Sequence, residues 1–228
     1  MRNQVTFAIV LSRINYSESD RIVNVITKDD GKLTLMAKGS RKIKSKLAAG
    51  IELLSVNEIV FIKGKSDIST LVSSRPIEFF SEISKDLNRI NVAYKYLQII
   101  DKNTEDNADD DYYELLKESL TFLNSNDNDP DQCYQYFLSK LINISGFSPN
   151  LLTDSNLNKL DQNKKYNFDV SEMNFIESAS GRFNVKSIKY LRLLFSNSPE
   201  SVFKISDELD TKLINNLLES IFKRYLSL

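Results

Sequence analysis

The sequence predicts an α+β protein, a small five-stranded barrel followed by a mostly helical domain. Three observations predict it. Apolar residues alternate with a period near two through the first 80 residues and recur at helical spacing from Ser81 onward. About five strand-like segments with short turns fit into those 80 residues, which is too small for a sandwich and suits a closed barrel. The charge changes sign at the same place. Residues 1–80 hold 13 Lys+Arg and 8 Asp+Glu, a net of +5, and residues 81–228 hold the remaining 17 and 23, a net of −6. Two units are therefore expected, 1–80 and 81–228, the first better suited to a polyanion.

The first strand is expected around Thr6–Leu11, a compact apolar run rich in β formers, and the second around Arg21–Thr27 with Ile22, Val23, Val25 and Ile26. Lys28 to Lys32 contains Asp30-Gly31, a hairpin signal. Leu33, Leu35 and Ala37 alternate with Thr34 and Met36 in the third strand. A long fourth strand is expected over Ile51–Ile62, a turn over Gly64–Asp67 and a fifth strand over Ile68–Val72, with Pro76 and the polar residues after Phe80 ending the barrel.

The helical part carries four clear stripes. Leu87, Ile90, Tyr94, Leu97 and Ile100 form the first, and Leu115, Leu116, Leu120 and Leu123 the second. Tyr134, Phe137, Leu138, Leu141 and Ile144 form the third, with Gly146 placed to cap it. The last runs through Leu209, Leu213, Ile214, Leu217, Leu218, Ile221, Phe222 and Tyr225. A shorter helix is expected over Val185–Phe195, ending before Ser196-Asn197-Ser198-Pro199. Asp101–Asp111 and Asn124–Asp131 read as solvated polar loops. Residues 153–184 show no usable period and read as a short irregular insert.

Composition narrows the chemistry. The chain has no His and a single Cys, so a Ser-His-Asp triad, a Cys-His dyad, an imidazole metal ligand, an intrachain disulfide and a thiolate cluster are all excluded. No phosphate-loop pattern is present. No apolar run reaches the length of a signal peptide or a membrane helix, and the expectation is a cytoplasmic, non-catalytic protein without cofactor or metal. Cys133 lies beside Tyr134 and near Phe137 and reads as a packed core thiol.

The sharpest feature is Lys38-Gly39-Ser40-Arg41-Lys42-Ile43-Lys44-Ser45-Lys46, five cations in nine residues with no acid. Between two strands it should be an exposed loop with a mobile rim, able to neutralise phosphates without reading base edges. Lys38, Arg41, Lys42, Lys44 and Lys46 are the candidate phosphate contacts, with Arg21 and Lys32 as weaker flanking candidates. Phe7 and Phe61 fall in apolar strands and are expected in the core, while Tyr16, in a loop, is the better stacking platform. Tyr16-Ser17-Glu18-Ser19-Asp20-Arg21 reads as a turn held by Asp and Ser side chains, with Arg21 paired locally.

These residues resemble a family. Ala8-Ile9-Val10-Leu11, Tyr16-x-Glu18-Ser19-Asp20-Arg21-Ile22-Val23, Thr27, Gly31, Ala37-Lys38-Gly39-x-Arg41 and Lys44-Ser45 are similar to the N-terminal domain of the bacterial recombination mediator RecO. Tyr136-Phe137-Leu138-x-Lys140-Leu141 and Gly146-Phe147-x-Pro149-Asn150-Leu151 resemble its C-terminal domain. The resemblance implies an OB-fold barrel and a helical domain. It implies binding to single- and double-stranded DNA, annealing of complementary strands, and partnership with RecR and with the C-terminal tail of the single-stranded-DNA-binding protein. Lys212, Lys223 and Arg224 are the candidate cations for that tail. Many members carry a four-cysteine zinc site after the Gly-Phe-x-Pro turn, whereas Leu151–Asn158 here holds no Cys. Packing of Phe168, Phe175 and Phe183 should replace it. The residues alone leave two other readings, an RNA-binding or ribosome-associated barrel protein and a protein-interaction scaffold.

Overall fold

Five strands close into a barrel in the computed structural model, which describes residues 2–64, 67–104, 111–196, 202–203 and 209–226. The middle of the expected Gly64–Asp67 turn, most of the Asp101–Asp111 loop and the Asn197–Pro199 break lie outside the described residues. The strands are β1 (Asn3–Asn15), β2 (Arg21–Thr27), β3 (Lys32–Ala37), β4 (Ser55–Ile62) and β5 (Ile68–Phe79), in the order β1-β2-β3-β5-β4 with β4 returning to β1. All pairs are antiparallel except β3 with β5. This is the five-stranded arrangement of an OB-fold.

Alternation fills the interior. Ala8, Val10, Val23, Val25, Leu35, Ala37, Ile59, Phe61 and Leu71 point inward and are buried. Phe7, one step out of phase with Ala8, faces outward and is 39% exposed, which corrects its expected core position. The pleat turns Phe7 out of the barrel interior, and unlike Ile9 and Leu11 in the same phase, which are buried, it stays partly exposed.

Two boundaries differ from expectation. The fourth strand begins at Ser55 rather than Ile51 because Leu54 takes a positive φ of 59° and residues 49–51 form a 3-10 turn. Ile51, with Leu47 and Leu53, packs against the barrel core instead of entering the sheet. The fifth strand continues past Val72 to Phe79 and includes Pro76. Beyond Thr70, β5 is paired with β4 alone, so one of its edges is open and a residue without an N–H is tolerated there.

Two packed units divide the chain, Met1–Asn126 and Asp127–Leu228. The first adds α1 (Leu87–Asn103) and α2 (Asp111–Leu123) to the barrel, so the packing boundary falls some 46 residues after the change of period at Ser81. The buried face of α1 is Arg89, Val92, Ala93, Tyr96, Leu97 and Ile100: of the expected stripe it holds Leu97 and Ile100, while Ile90 is half-buried and Leu87, 72% exposed, and Tyr94 lie off it. Arg89 sets this phase. Its guanidinium donates to the carbonyls of Leu123 (2.6 Å), Ser125 (2.8 Å) and Asn126 (3.4 Å), satisfying acceptors at the end of α2.

The second unit holds α3 (Pro130–Ile144), β6 (Tyr166–Asp169), β7 (Asn174–Glu177), α4 (Val185–Leu194) and α5 (Thr211–Tyr225). Asp129, Asn184 and Asp210 cap α3, α4 and α5 through backbone N–H groups. Cys133 is buried on α3. The segment 153–184 is a small hairpin extended by the bridges Thr153 with Lys159, Asp154 with Phe175 and Tyr166 with Phe183. Its centre is Phe175, which makes edge contacts with Tyr166, Phe168 and Phe183 at centroid distances of 6.0, 5.0 and 5.6 Å. Asp154 is buried beside it. Burial opposes its charge, but hydrogen bonds from Asn158 and Asn156 outweigh that and hold the carboxyl below the usual carboxylate range. The residues here do not fit a zinc site. Leu151–Asn158 offers no Cys, the chain has no His, and among the described residues no group of three or more metal-binding side chains converges.

Candidate nucleic-acid interface

Strand directions place two connections at one end of the barrel. The turn 16–20 leaves β1 and enters β2, and the segment 38–54 leaves β3 and enters β4. They are joined to each other. Gly39 N–H donates to Asp20 Oδ1 at 2.7 Å and Arg41 N–H donates to the Ser19 carbonyl at 2.9 Å. Arg41 Nη1 donates to the Ser17 carbonyl at 2.6 Å. Gly39 reaches this position with a φ of 66°, which a Cβ would strain. The Ser17 and Ser19 hydroxyls complete the turn around Asp20, as the Asp/Ser pattern predicts. The Gly39 N–H, followed by Ser19, keeps the Asp20 carboxyl below its ordinary range.

The 38–54 segment is therefore anchored rather than a simple mobile rim, which corrects the expectation. Ser40 is buried, Leu47 and Ile51 pack on the core, and Glu52, the segment's single acid, pairs with Arg13. Lys38, Arg41, Lys42, Lys44 and Lys46 are exposed, and among the described residues none of them makes an ion pair. Arg21 joins this end. It pairs with Ala37 across the sheet, next to Lys38, and its Nε donates to Asn15 Oδ1 at 3.3 Å.

Lys32 does not belong with them. It begins β3, about 17 Å of extended chain from Ala37. Its ammonium is bound by the Asp101 carboxylate at 3.0 Å and by the Asp101 and Thr104 carbonyls at the end of α1. Both its position and its charge are already used by the fold, which makes Lys32 the candidate DNA contact that the geometry supports least.

Two side chains suited to bases stand at the basic end. Tyr16 is 63% exposed at the top of the β1–β2 turn, and Ile43 is fully exposed between Lys42 and Lys44. Sequence reasoning missed Ile43, although an isolated apolar residue inside a run of cations was the available signal. It also missed the bond between Asp20 and Gly39. Phe61 is fully buried, as expected. Of the tail candidates, Lys212 is exposed, Lys223 lies 3.8 Å from Glu219, and Arg224 lies 5.7 Å from the centre of the Tyr225 ring.

Fold and basic end together define an OB-fold barrel protein with an unpaired cationic surface, joined to a helical unit. Comparison with known proteins narrows this. Residues 1–80 match the family model described as Recombination protein O N terminal, and residues 84–228 match Recombination protein O C terminal. The chain belongs to the recombination protein O (RecO) family. It is 36% identical over 145 residues to the DNA repair protein RecO of Acetivibrio thermocellus, covering 63% of this chain and 57% of that relative. It is 25% identical over 228 residues to that of Alkaliphilus metalliredigens, covering 97% and 91%, and 28% identical over 212 residues to that of Halalkalibacterium halodurans, covering 90% and 82%. Among the described residues no helix is long and apolar enough to cross a membrane.

Proposed function

We propose that this chain is a DNA-repair recombination mediator that binds single- and double-stranded DNA through its phosphates. It anneals complementary strands and helps remodel DNA coated with single-stranded-DNA-binding protein, in partnership with RecR. The observation that carries this reading is the set of exposed cations Lys38, Arg41, Lys42, Lys44 and Lys46, without an ion pair among the described residues, on a segment fastened to the 16–20 turn through Asp20 and Gly39. Cations held on one rim follow a phosphate backbone of any sequence, while Tyr16 and Ile43 offer surfaces for unstacked bases. The mechanism is electrostatic and needs no nucleotide hydrolysis: cations screen two backbones so that strands can meet. It fits a non-catalytic protein of the cytoplasm.

Membership of the family supports RecR and the single-stranded-DNA-binding protein as the proposed partners. An acidic, apolar tail such as that of the single-stranded-DNA-binding protein calls for an apolar groove with a cation at its edge, and Lys212, Lys223 and Arg224 are the residues to test. The deciding experiment is annealing of complementary oligonucleotides coated with the cognate single-stranded-DNA-binding protein, with no nucleotide added. Faster annealing than in the protein's absence, diminishing as salt rises, is expected. Absence of salt-sensitive DNA binding, with retained binding to RecR, would turn the reading toward a protein scaffold.

A further inference from the structure

The second unit, residues 127–228, is close to neutral, with 12 Lys+Arg and 13 Asp+Glu, but its charges are unevenly spread. From Ser178 to Ser196 there are four cations, Arg182, Lys186, Lys189 and Arg192, and no acid. Three lie on α4 at intervals of three residues, which keeps them along one side of the helix over about 9 Å of its axis. Arg182 immediately precedes the bridge between Phe183 and Tyr166, whose two backbone hydrogen bonds are both 2.9 Å. Tyr166 and Phe183 are buried, and their exposed neighbours Lys165 and Arg182 lie diagonally across the other side of that short antiparallel pairing. Arg182, Lys186, Lys189 and Lys165 are exposed, and among the described residues none makes an ion pair. Arg192 spends its Nε on the Leu151 carbonyl at 2.8 Å.

The placement runs against local electrostatics. The first turn of a helix favours acids, yet α4 has none there and carries Lys186. Nothing in the fold of α4 needs the charge, because Asn184 already caps the helix through the N–H groups of Lys186 and Ser187. A rule broken without local compensation marks a surface kept for something outside the chain. That something is a polyanion. Ile188, Tyr190, Leu191 and Leu194 of α4 are buried and Val185 and Leu193 are half-buried, so the helix presents no fully exposed aromatic or aliphatic anchor for a protein interface. A row of single cations without an anchor matches a chain of phosphates.

We infer that Lys165, Arg182, Lys186 and Lys189 form a second phosphate-backbone site, for a second nucleic-acid strand, on the unit that does not contain the barrel. This rests on the reading of the chain as a DNA-binding protein. It supplies what annealing requires, two strands held by one molecule.

The test uses the full chain and short, non-complementary single-stranded oligonucleotides, titrated to saturation. Three proteins are compared: wild type, a barrel variant with Lys38, Lys42, Lys44 and Lys46 changed to Gln, and an α4 variant carrying K165Q, R182Q, K186Q and K189Q. Circular dichroism confirms that each is folded. Wild type is expected to take up two strands and each variant one. The α4 variant should anneal at least about tenfold more slowly, and its salt slope for the second strand should fall by about 0.7 for each contact removed. An α4 variant that still takes up two strands with the wild-type slope overturns the second site and leaves the barrel assignment intact. Wild type that takes up no strand removes the DNA-binding reading itself, and this site with it. A decaglutamate peptide serves as the other probe. Its loss from the α4 variant, with DNA stoichiometry unchanged, would assign the surface to an acidic protein and overturn the nucleic-acid assignment.

Discussion

Asp20 Oδ1 accepts the backbone N–H of Gly39 at 2.7 Å, across 19 residues of chain, and by that bond the turn after β1 fixes the start of the basic segment after β3. An acid in the middle of a proposed DNA surface is electrostatically unfavourable for DNA. Its value is registry, since it aligns Lys38 and Arg41 with the rim.

Asp20→Ala therefore separates charge from position. Removing an anion should strengthen DNA binding if only net charge mattered. We expect a fall of severalfold in affinity, measured by fluorescence anisotropy at fixed salt, because the segment loses its anchor. An increase in affinity would reduce Asp20 to a bystander. The same carboxyl gives a pH signature. It is held below its ordinary value of 3.8, first by the Gly39 N–H and then by Ser19, so the folded state prefers it charged. Its contribution to stability is complete above that ordinary value and is lost as pH falls below it, through the lower folded value. The difference in melting temperature between wild type and Asp20→Ala should be constant from pH 5 to 7 and close below about pH 4.

Replacing Lys38, Arg41, Lys42, Lys44 and Lys46 together by Ala should weaken binding to all DNA sequences about equally. The log–log salt slope should flatten by about 0.7 per lost contact on single strands and about 0.9 on duplex. Four of these changes should leave stability within about 0.5 kcal/mol each, as exposed substitutions usually do. Arg41 should cost more than the lysines, since its side chain holds the Ser17 carbonyl. A five-fold variant with the wild-type slope would move the DNA surface elsewhere.

Lys32→Ala should behave in the opposite way. The Lys32–Asp101 pair joins the start of β3 to the end of α1, with both side chains mostly buried. Its loss should destabilise the chain by about 1–3 kcal/mol, by urea denaturation, with the salt slope for DNA unchanged. A lowered salt slope with unchanged stability would return Lys32 to the DNA surface.

The strands were legible because the barrel imposes its own pleat on the sequence, and Val23, Val25, Leu35 and Ile59 alternate accordingly. The basic segment was legible as composition. Its fastening was not, because the acceptor for Gly39 lies 19 residues away in a turn whose own sequence only says "turn". Ile51 misled for a related reason: an apolar residue that closes the end of a barrel looks the same in sequence as one that starts a strand. The 153–184 segment stayed opaque because its order comes from bridges such as Asp154 with Phe175, which leave no local period.

Arg89 explains the misread face of α1 and yields a test. Counted as polar, it hides the buried series Arg89, Ala93, Tyr96 and Ile100. Arg89→Met keeps much of the volume but leaves the Leu123 and Ser125 carbonyls without their charged donor. We expect a loss of about 2–4 kcal/mol in denaturant unfolding, and only partial recovery with Arg89→Lys, whose single ammonium cannot span three carbonyls. A neutral Arg89→Met would mean that water serves those carbonyls equally well.

The hairpin of the second unit should stand on ring packing and its hydrogen bonds, without a metal. Phe175 is fully buried among Tyr166, Phe168 and Phe183, and Phe175→Ala opens a cavity that the surrounding backbone bridges cannot close. The expected loss is about 3–5 kcal/mol in unfolding of this unit. Gly181→Ala should act on the same structure by a different route. A Cβ there would enter the Tyr166 backbone, whose N–H and carbonyl hold Phe183 in place. Because Leu151–Asn158 supplies no thiolate and the chain no imidazole, EDTA at millimolar concentration should leave the melting temperature of the wild type unchanged. Phe175→Ala discriminates further: if a metal organised this segment, that variant would become sensitive to chelator, since weakened packing would leave the metal as the remaining support. Equal melting of that variant with and without EDTA is the expected result, and a chelator-dependent drop would show that carboxylates such as Asp154 hold an ion after all.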